Sequence, residues 1–191
     1  MEKDVKGRIL EILKDSLNAI AFNKTNNLRE YSDKIIHSAS IYQDENIVSV
    51  SVLIYALSKI YERKNYRNCR DWEKFNQIVV INLKKAVETL EKDNDSDYYK
   101  AIKGISESIN GLDRKLKLYI EQVFEKAKIH RASRLHEHGI SVGRTADILG
   151  ISKWEIMDYI GHTGISDVKE SKTIAIDRRL KKAREIFLWK L

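Results

Sequence analysis

The chain of 191 residues contains no proline. Sheet and loop proteins normally place proline in turns, where its fixed φ presets the bend, so its absence favours helices joined by short connections. Cys69 is the only cysteine, which excludes an intrachain disulfide. No apolar run approaches the roughly 18 residues that a membrane-spanning helix requires. The opening MEKDVKGRIL has neither an uninterrupted apolar stretch nor a small-residue cleavage site, so no secretory signal is expected. A Gly-rich phosphate loop, an H-E-x-x-H pair and a G-x-S-x-G elbow are all missing. These absences point to an all-α, cytoplasmic protein with no membrane partner, no cofactor and no enzymatic signature of a common kind.

What is present is a core and a skewed charge. Apolar residues make up 42% of the chain, enough to build an interior, and charged residues make up 33%. The formal net charge is +7. Residues 1–110 hold 18 Lys+Arg against 17 Asp+Glu, whereas residues 111–191 hold 17 against 11. The basic excess therefore lies in the C-terminal part, as an electrostatic footprint for nucleic acid requires.

Apolar spacing divides the chain into helices. Val5, Ile9, Ile12, Leu13, Leu17 and Ile20 recur at steps of three and four, which predicts an amphipathic helix over 2–22. Leu28, Tyr31, Ile35, Ile36 and Ala39 predict a second. Ile47–Tyr61 reads as a third, although Val48, Val50 and Val52 alternate with Ser49 and Ser51 as a strand would. Trp72–Leu90 gives a fourth, and Tyr98–Ile109 a fifth after the break DNDSD, which supplies N-cap residues. Leu112 to His138 predicts one long helix, ended by Gly139. Six of the eight glycines lie at or after position 111, where the texture changes to short, sharply turned helices. The expected organisation is a helical bundle over 1–110 for oligomerisation or partner binding, a long helix with a helix-turn-helix unit over 111–165, and a basic C-terminal helix within 166–191.

The segment Gly139–Gly164, GISVGRTADILGISKWEIMDYIGHTG, carries the functional signal. Two short helices crossing steeply need a small residue at the crossing, a turn residue that tolerates positive φ, and apolar anchors on the inner faces. Ala146 supplies the first, Gly150 the second, and Leu149, Ile151, Ile156 and Tyr159 the third. Ser141 can cap the first helix. Ser152 and Glu155 form an S-x-x-E capping box for the second. Thr145 occupies a position where an apolar residue is usual. Lys153, Trp154, Glu155, Asp158 and His162 then face outward on the second helix. Arg144 and Lys153 are the expected contacts to phosphate or base edges, with Trp154 on the same face. Arg131, Arg134, Arg178 and Arg179 are expected as flanking positive charge. Glu155 and Asp158 repel phosphate but can accept from cytosine N4.

The run over residues 132–165 resembles the core of the small prokaryotic UPF0175 antitoxin-type proteins. The resemblance is carried by Ala132, Leu135, Gly139, Ile140, Ser141, Gly143, Ala146, Leu149, Gly150, Ile151, Ser152, Glu155, Gly164 and Ile165. It implies a transcriptional regulator of helix-turn-helix type, often paired with a ribonuclease toxin, and covers only this C-terminal run of the chain. The expected partners are therefore double-stranded DNA, a second copy of the chain in a homodimer, and a toxin protein.

Two alternatives belong to other classes. Arg131 and His136 have the R-x4-H spacing that resembles the motif of HEPN-type ribonucleases, which work without metal. A helical adaptor or antitoxin without direct DNA binding is the third reading. His130, His136 and His138 with Glu137 do not share one helical face, so no metal site is expected.

Overall fold

The computed structural model describes residues 1–112 and 114–163, and within them every regular element is helical. In chain order these are α1 (Lys3–Ala21), α2 (Asn27–Tyr42), α3 (Glu45–Glu62), α4 (Lys64–Arg67), α5 (Trp72–Glu91) and α6 (Asp95–Ser108). A 3-10 turn over Ile109–Gly111 leads to α7 (Arg114–Glu137), α8 (Val142–Leu149) and α9 (Lys153–Thr163). The basic C-terminal helix expected within 166–191 lies outside the described residues.

The centre of the bundle is α3. Val48, Val50 and Val52, which alternate like a strand, are all buried, and so are the intervening Ser51 and the neighbouring Leu53 and Ile54. A helix enclosed on nearly every side has no polar face to create a 3.6-residue period. That is why its sequence is ambiguous. Asp44 starts it, accepting hydrogen bonds from the backbone N–H of Asn46 at 2.8 Å and Ile47 at 3.3 Å. The Ser32 hydroxyl donates to the Ser51 carbonyl at 2.8 Å and pins α2 to α3 from within the core.

The other helices pack around this one by their apolar stripes. α2 and α7 lie on α3, α1 joins α2 to α5, and α6 packs on α5. Asn94 caps α6 through its side chain, as the DNDSD break predicts. One apolar cluster holds Ile105 and Ile109 before the expected division near 110 and Leu112, Leu116, Ile120 and Val123 after it. The first two-thirds of α7 is thus part of the bundle's own core. Its last turns serve two cores, with Leu135 still in that cluster. Ala132 there meets Ala146, Ile156 and Ile160 in a second, small cluster beneath α8 and α9. Burying Ile156 and Ile160 contributes roughly 1.5–3 kcal/mol each, which is the main hold on α9.

Among the described residues no helix is long and apolar enough to cross a membrane.

Candidate functional site

The C-terminal unit is built from local signals. Ser141 stands in extended conformation and its hydroxyl accepts from the Arg144 N–H at 3.2 Å, starting α8. Gly150 ends α8 at φ +62°, in the left-handed region where an L side chain is strained. The Ile151 N–H then bonds back to the Ala146 carbonyl at 3.2 Å, which closes a Schellman turn. Ser152 and Glu155 form the expected box. The Ser152 N–H donates to Glu155 Oε2 at 2.9 Å, and the Trp154 N–H donates to Ser152 Oγ at 3.2 Å. Ala146 is buried where the two helices meet α7. Thr145 is also fully buried, with its hydroxyl unpartnered. An unsatisfied buried hydroxyl costs about 1–3 kcal/mol.

The outward face is mixed. Arg144 and Lys153 are exposed, and among the described residues neither stands in an ion pair. Lys153 reaches back over the start of α8, so that a Cβ at Gly143 would stand 3.6 Å from its Nζ. Lys153 thus reaches the first turn of α8, the turn that carries Arg144. Trp154 is 79% exposed and Met157 54% exposed, an apolar pair on the same helix. Sequence reasoning selected Trp154 and missed Met157, which the periodicity alone assigns to neither face. Glu155 is engaged in the cap, and Asp158 lies 3.4 Å from the His162 ring.

The flanking cations fare differently. Arg134 is 40% exposed and ion-pairs with Glu137 one turn on. Arg178 and Arg179 lie outside the described residues. Arg131, expected on the surface, has no exposed side-chain area. Its Nη1 donates to Asp33 Oδ1 at 2.7 Å, and its guanidinium carbon lies 4.0 Å from the Tyr55 ring centroid. The position of Arg131 on α7 turns it inward between α2 and α3, where Asp33 and the ring hold it. It is a structural cation of the core, with no open edge for a phosphate. The same burial removes the exposed guanidinium from the R-x4-H pair, while His136 Nδ1 donates to the Ile140 carbonyl at 3.0 Å. His130, His136 and His138 go to three different neighbours: Tyr55, Ile140 and His37.

His130 stacks on Tyr55 with ring centroids 4.4 Å apart and planes 10° from parallel. Burial pushes its imidazole down to about 4, with the charges of Arg131 and Arg134 acting in the same direction. An unfolded histidine takes up its proton near pH 6.5, roughly. Between the two values the unfolded chain binds more protons than the folded one. The stability contributed by neutral His130 is thus complete above about pH 6.5 and is lost as pH falls toward 4. His130→Phe keeps a flat ring against Tyr55 and removes the proton site. Thermal unfolding from pH 7 down to 4 should show a smaller fall in Tm for this variant than for the wild type. Equal falls would place the acid sensitivity elsewhere.

No protein-family model, curated protein or solved structure matches this chain.

Proposed function

We propose that this chain is a helix-turn-helix DNA-binding regulator whose α9 enters the major groove of double-stranded DNA. The observation that carries the reading is the α8–α9 unit itself. Two short helices are joined by a Gly150 turn and a Ser152–Glu155 cap, both Arg144 and Lys153 are exposed, and Lys153 reaches the first turn of α8. A recognition helix contacts DNA by its first turns, and those turns are where Lys153 and Trp154 stand. The N–H groups at the start of α8 and the Arg144 side chain suit a phosphate oxygen. Lys153 suits a phosphate or a guanine edge, and the apolar Trp154–Met157 pair suits thymine methyl groups. The resemblance to antitoxin-type regulators over residues 132–165 supports the same reading.

The regulator acts as a two-fold dimer, with one α9 per half-site about 34–36 Å apart. The bundle of α1–α6 supplies the remaining surface for dimer or partner contact. Electrophoretic retardation of genomic fragments at two salt concentrations tests the function. Discrete complexes that resist unlabelled random DNA, and weaken as salt rises, are the expected result. A stable co-purified protein and no retardation at low salt would select the adaptor reading instead.

A further inference from the structure

A cleft of about 440 Å³ opens between α3, α7 and α9. Pockets that enclose small ligands run from about 300 to 1,000 Å³. Val123, Ala127 and Ile129 of α7 give it an apolar floor. Its walls are flat rings: Tyr159 comes from α9, and His130 comes from α7, stacked on Tyr55 of α3. The His130 and Tyr159 rings stand 6.3 Å apart and nearly perpendicular. Three cations stand at the rim, Lys59, Arg63 and Lys126, and none of the described residues that line the cleft is acidic. Lys59 is paired with Glu62 at 2.8 Å. Arg63 has a tyrosine hydroxyl, that of Tyr66, as its partner at 2.6 Å. Lys126 is exposed, and among the described residues it stands in no ion pair. Arg63 also lines a second, more polar cleft with Lys64 and Tyr119, so positive charge continues past the rim.

We infer that this cleft binds a small anion bearing a flat heteroaromatic ring, a nucleoside monophosphate in size and charge, and that its occupancy sets the DNA affinity of α9 through Tyr159. The ring lies on the apolar floor against Tyr159 and the His130–Tyr55 stack, and the phosphate meets Arg63 and Lys126. Stacking on aromatic walls is indifferent to the base, so the phosphate and the ring together set affinity. Charge-assisted hydrogen bonds to phosphate are about twice as strong as neutral ones, which makes the rim cations decisive. His130 remains uncharged at neutral pH and acts as a ring surface, leaving the anion to the rim. The regulatory half of the inference rests on the DNA-binding reading above. α9 forms one wall of the cleft with Tyr159 and turns Trp154 and Lys153 outward, so a ligand that fixes Tyr159 fixes the DNA-facing side as well. By linkage, DNA then changes the nucleotide affinity by the same factor.

Calorimetric titration of the full chain, without DNA, tests the site. The probes are the four ribonucleoside 5′-monophosphates, adenosine and inorganic phosphate. At least one monophosphate should bind below about 1 mM, and adenosine and inorganic phosphate at least about tenfold more weakly. Arg63→Ala with Lys126→Ala should weaken that nucleotide at least about tenfold, and Tyr159→Leu should weaken it as well. Lys126 is exposed and in no ion pair among the described residues, so Lys126→Ala alone should keep the wild-type Tm and still weaken the nucleotide, whereas the double variant also loses the Arg63–Tyr66 hydrogen bond. No binding by any of the four, adenosine binding as tightly as its phosphate, or an unchanged affinity in the double variant would overturn the site. Saturating nucleotide should shift wild-type DNA affinity by about fivefold or more, and an unshifted affinity overturns the coupling. Nucleotide binding by a chain that never retards DNA overturns the function proposed above and not the site.

Discussion

Asp33→Ala should destabilise the fold by about 3 kcal/mol, a larger loss than that of Arg131→Met at the other end of the same ion pair. The asymmetry comes from burial. Arg131 has no exposed side-chain area, whereas Asp33 keeps 43% of its own. Removing the carboxylate leaves a guanidinium enclosed between α2, α3 and α7 with no counter-charge. Burial already holds Arg131 below its ordinary pKa, with Asp33 working against that effect. Its Nε and Nη2 have no hydrogen-bond partner, so no other group can take over from Asp33. Removing the arginine instead discards the buried charge together with those two unpaired donors. Asp33 then returns to water through the side it already exposes. Methionine fills similar volume and keeps contact with the Tyr55 ring. Arg131→Met should therefore cost under about 1 kcal/mol. Urea denaturation reads both effects as shifts in midpoint at constant slope. A loss in Arg131→Met that equals or exceeds the loss in Asp33→Ala would mean that the pair is not the hinge of this interior.

Arg144→Ala combined with Lys153→Ala should remove most of the DNA affinity at low salt and leave the fold intact. Both side chains are exposed and outside any ion pair among the described residues, so their removal uncovers no buried group. Each phosphate bound by a cation releases counterions and contributes about 0.9 to the slope of log K against log salt. Without these two cations the slope should be shallower by about 1.8 if both hold phosphates and by about 0.9 if Lys153 reads a base instead. The single variant Lys153→Ala separates a lysine that reads a base from one that holds a phosphate. If Lys153 reads a base, its removal relaxes sequence preference by about 1–3 kcal/mol at one position. If it holds a phosphate, all sequences weaken alike. Asp158 provides the opposite sign on the same helix. Asp158→Asn should raise affinity for every duplex if the carboxylate only repels phosphate, and should change base preference if it accepts from cytosine.

The outline of this fold is readable in the sequence because its helices announce themselves by apolar spacing. α1 buries Val5, Ile9, Ile12, Leu13 and Ile20 of the face its spacing selects and half-buries Leu17, and α2 buries Leu28, Ile35, Ile36 and Ala39 and half-buries Tyr31. α3 is ambiguous for a physical reason, since enclosure on nearly every side blurs the period. α4 escapes notice because a single turn with one buried residue, Tyr66, leaves no pattern to detect. The α8–α9 turn is legible down to its caps because Ser141, Gly150, Ser152 and Glu155 act on neighbours within a few residues. Long-range pairings are not legible. Nothing local to Arg131 tells that its partner is Asp33, 98 positions away, and so a core cation reads in the sequence as a surface one. The cleft is hidden in the same way, because Tyr55, His130 and Tyr159 come from three helices and meet only in three dimensions.

The central claim, that α9 is the helix that meets DNA, is open to a proximity measurement. Cys69 is the only cysteine, so Cys69→Ser gives a background in which one introduced thiol can carry an iron–EDTA cleavage group. Asp158→Cys places that group on the exposed face of α9, and Ile81→Cys places it on the exposed face of α5 as a control. With protein bound to a retarded fragment, the α9 tether should cut the duplex at a focused position in each half-site, and the α5 tether should not. Focused cutting from the α5 tether, or none from α9 on DNA that remains bound, would contradict the assignment of α9 as the DNA-reading helix.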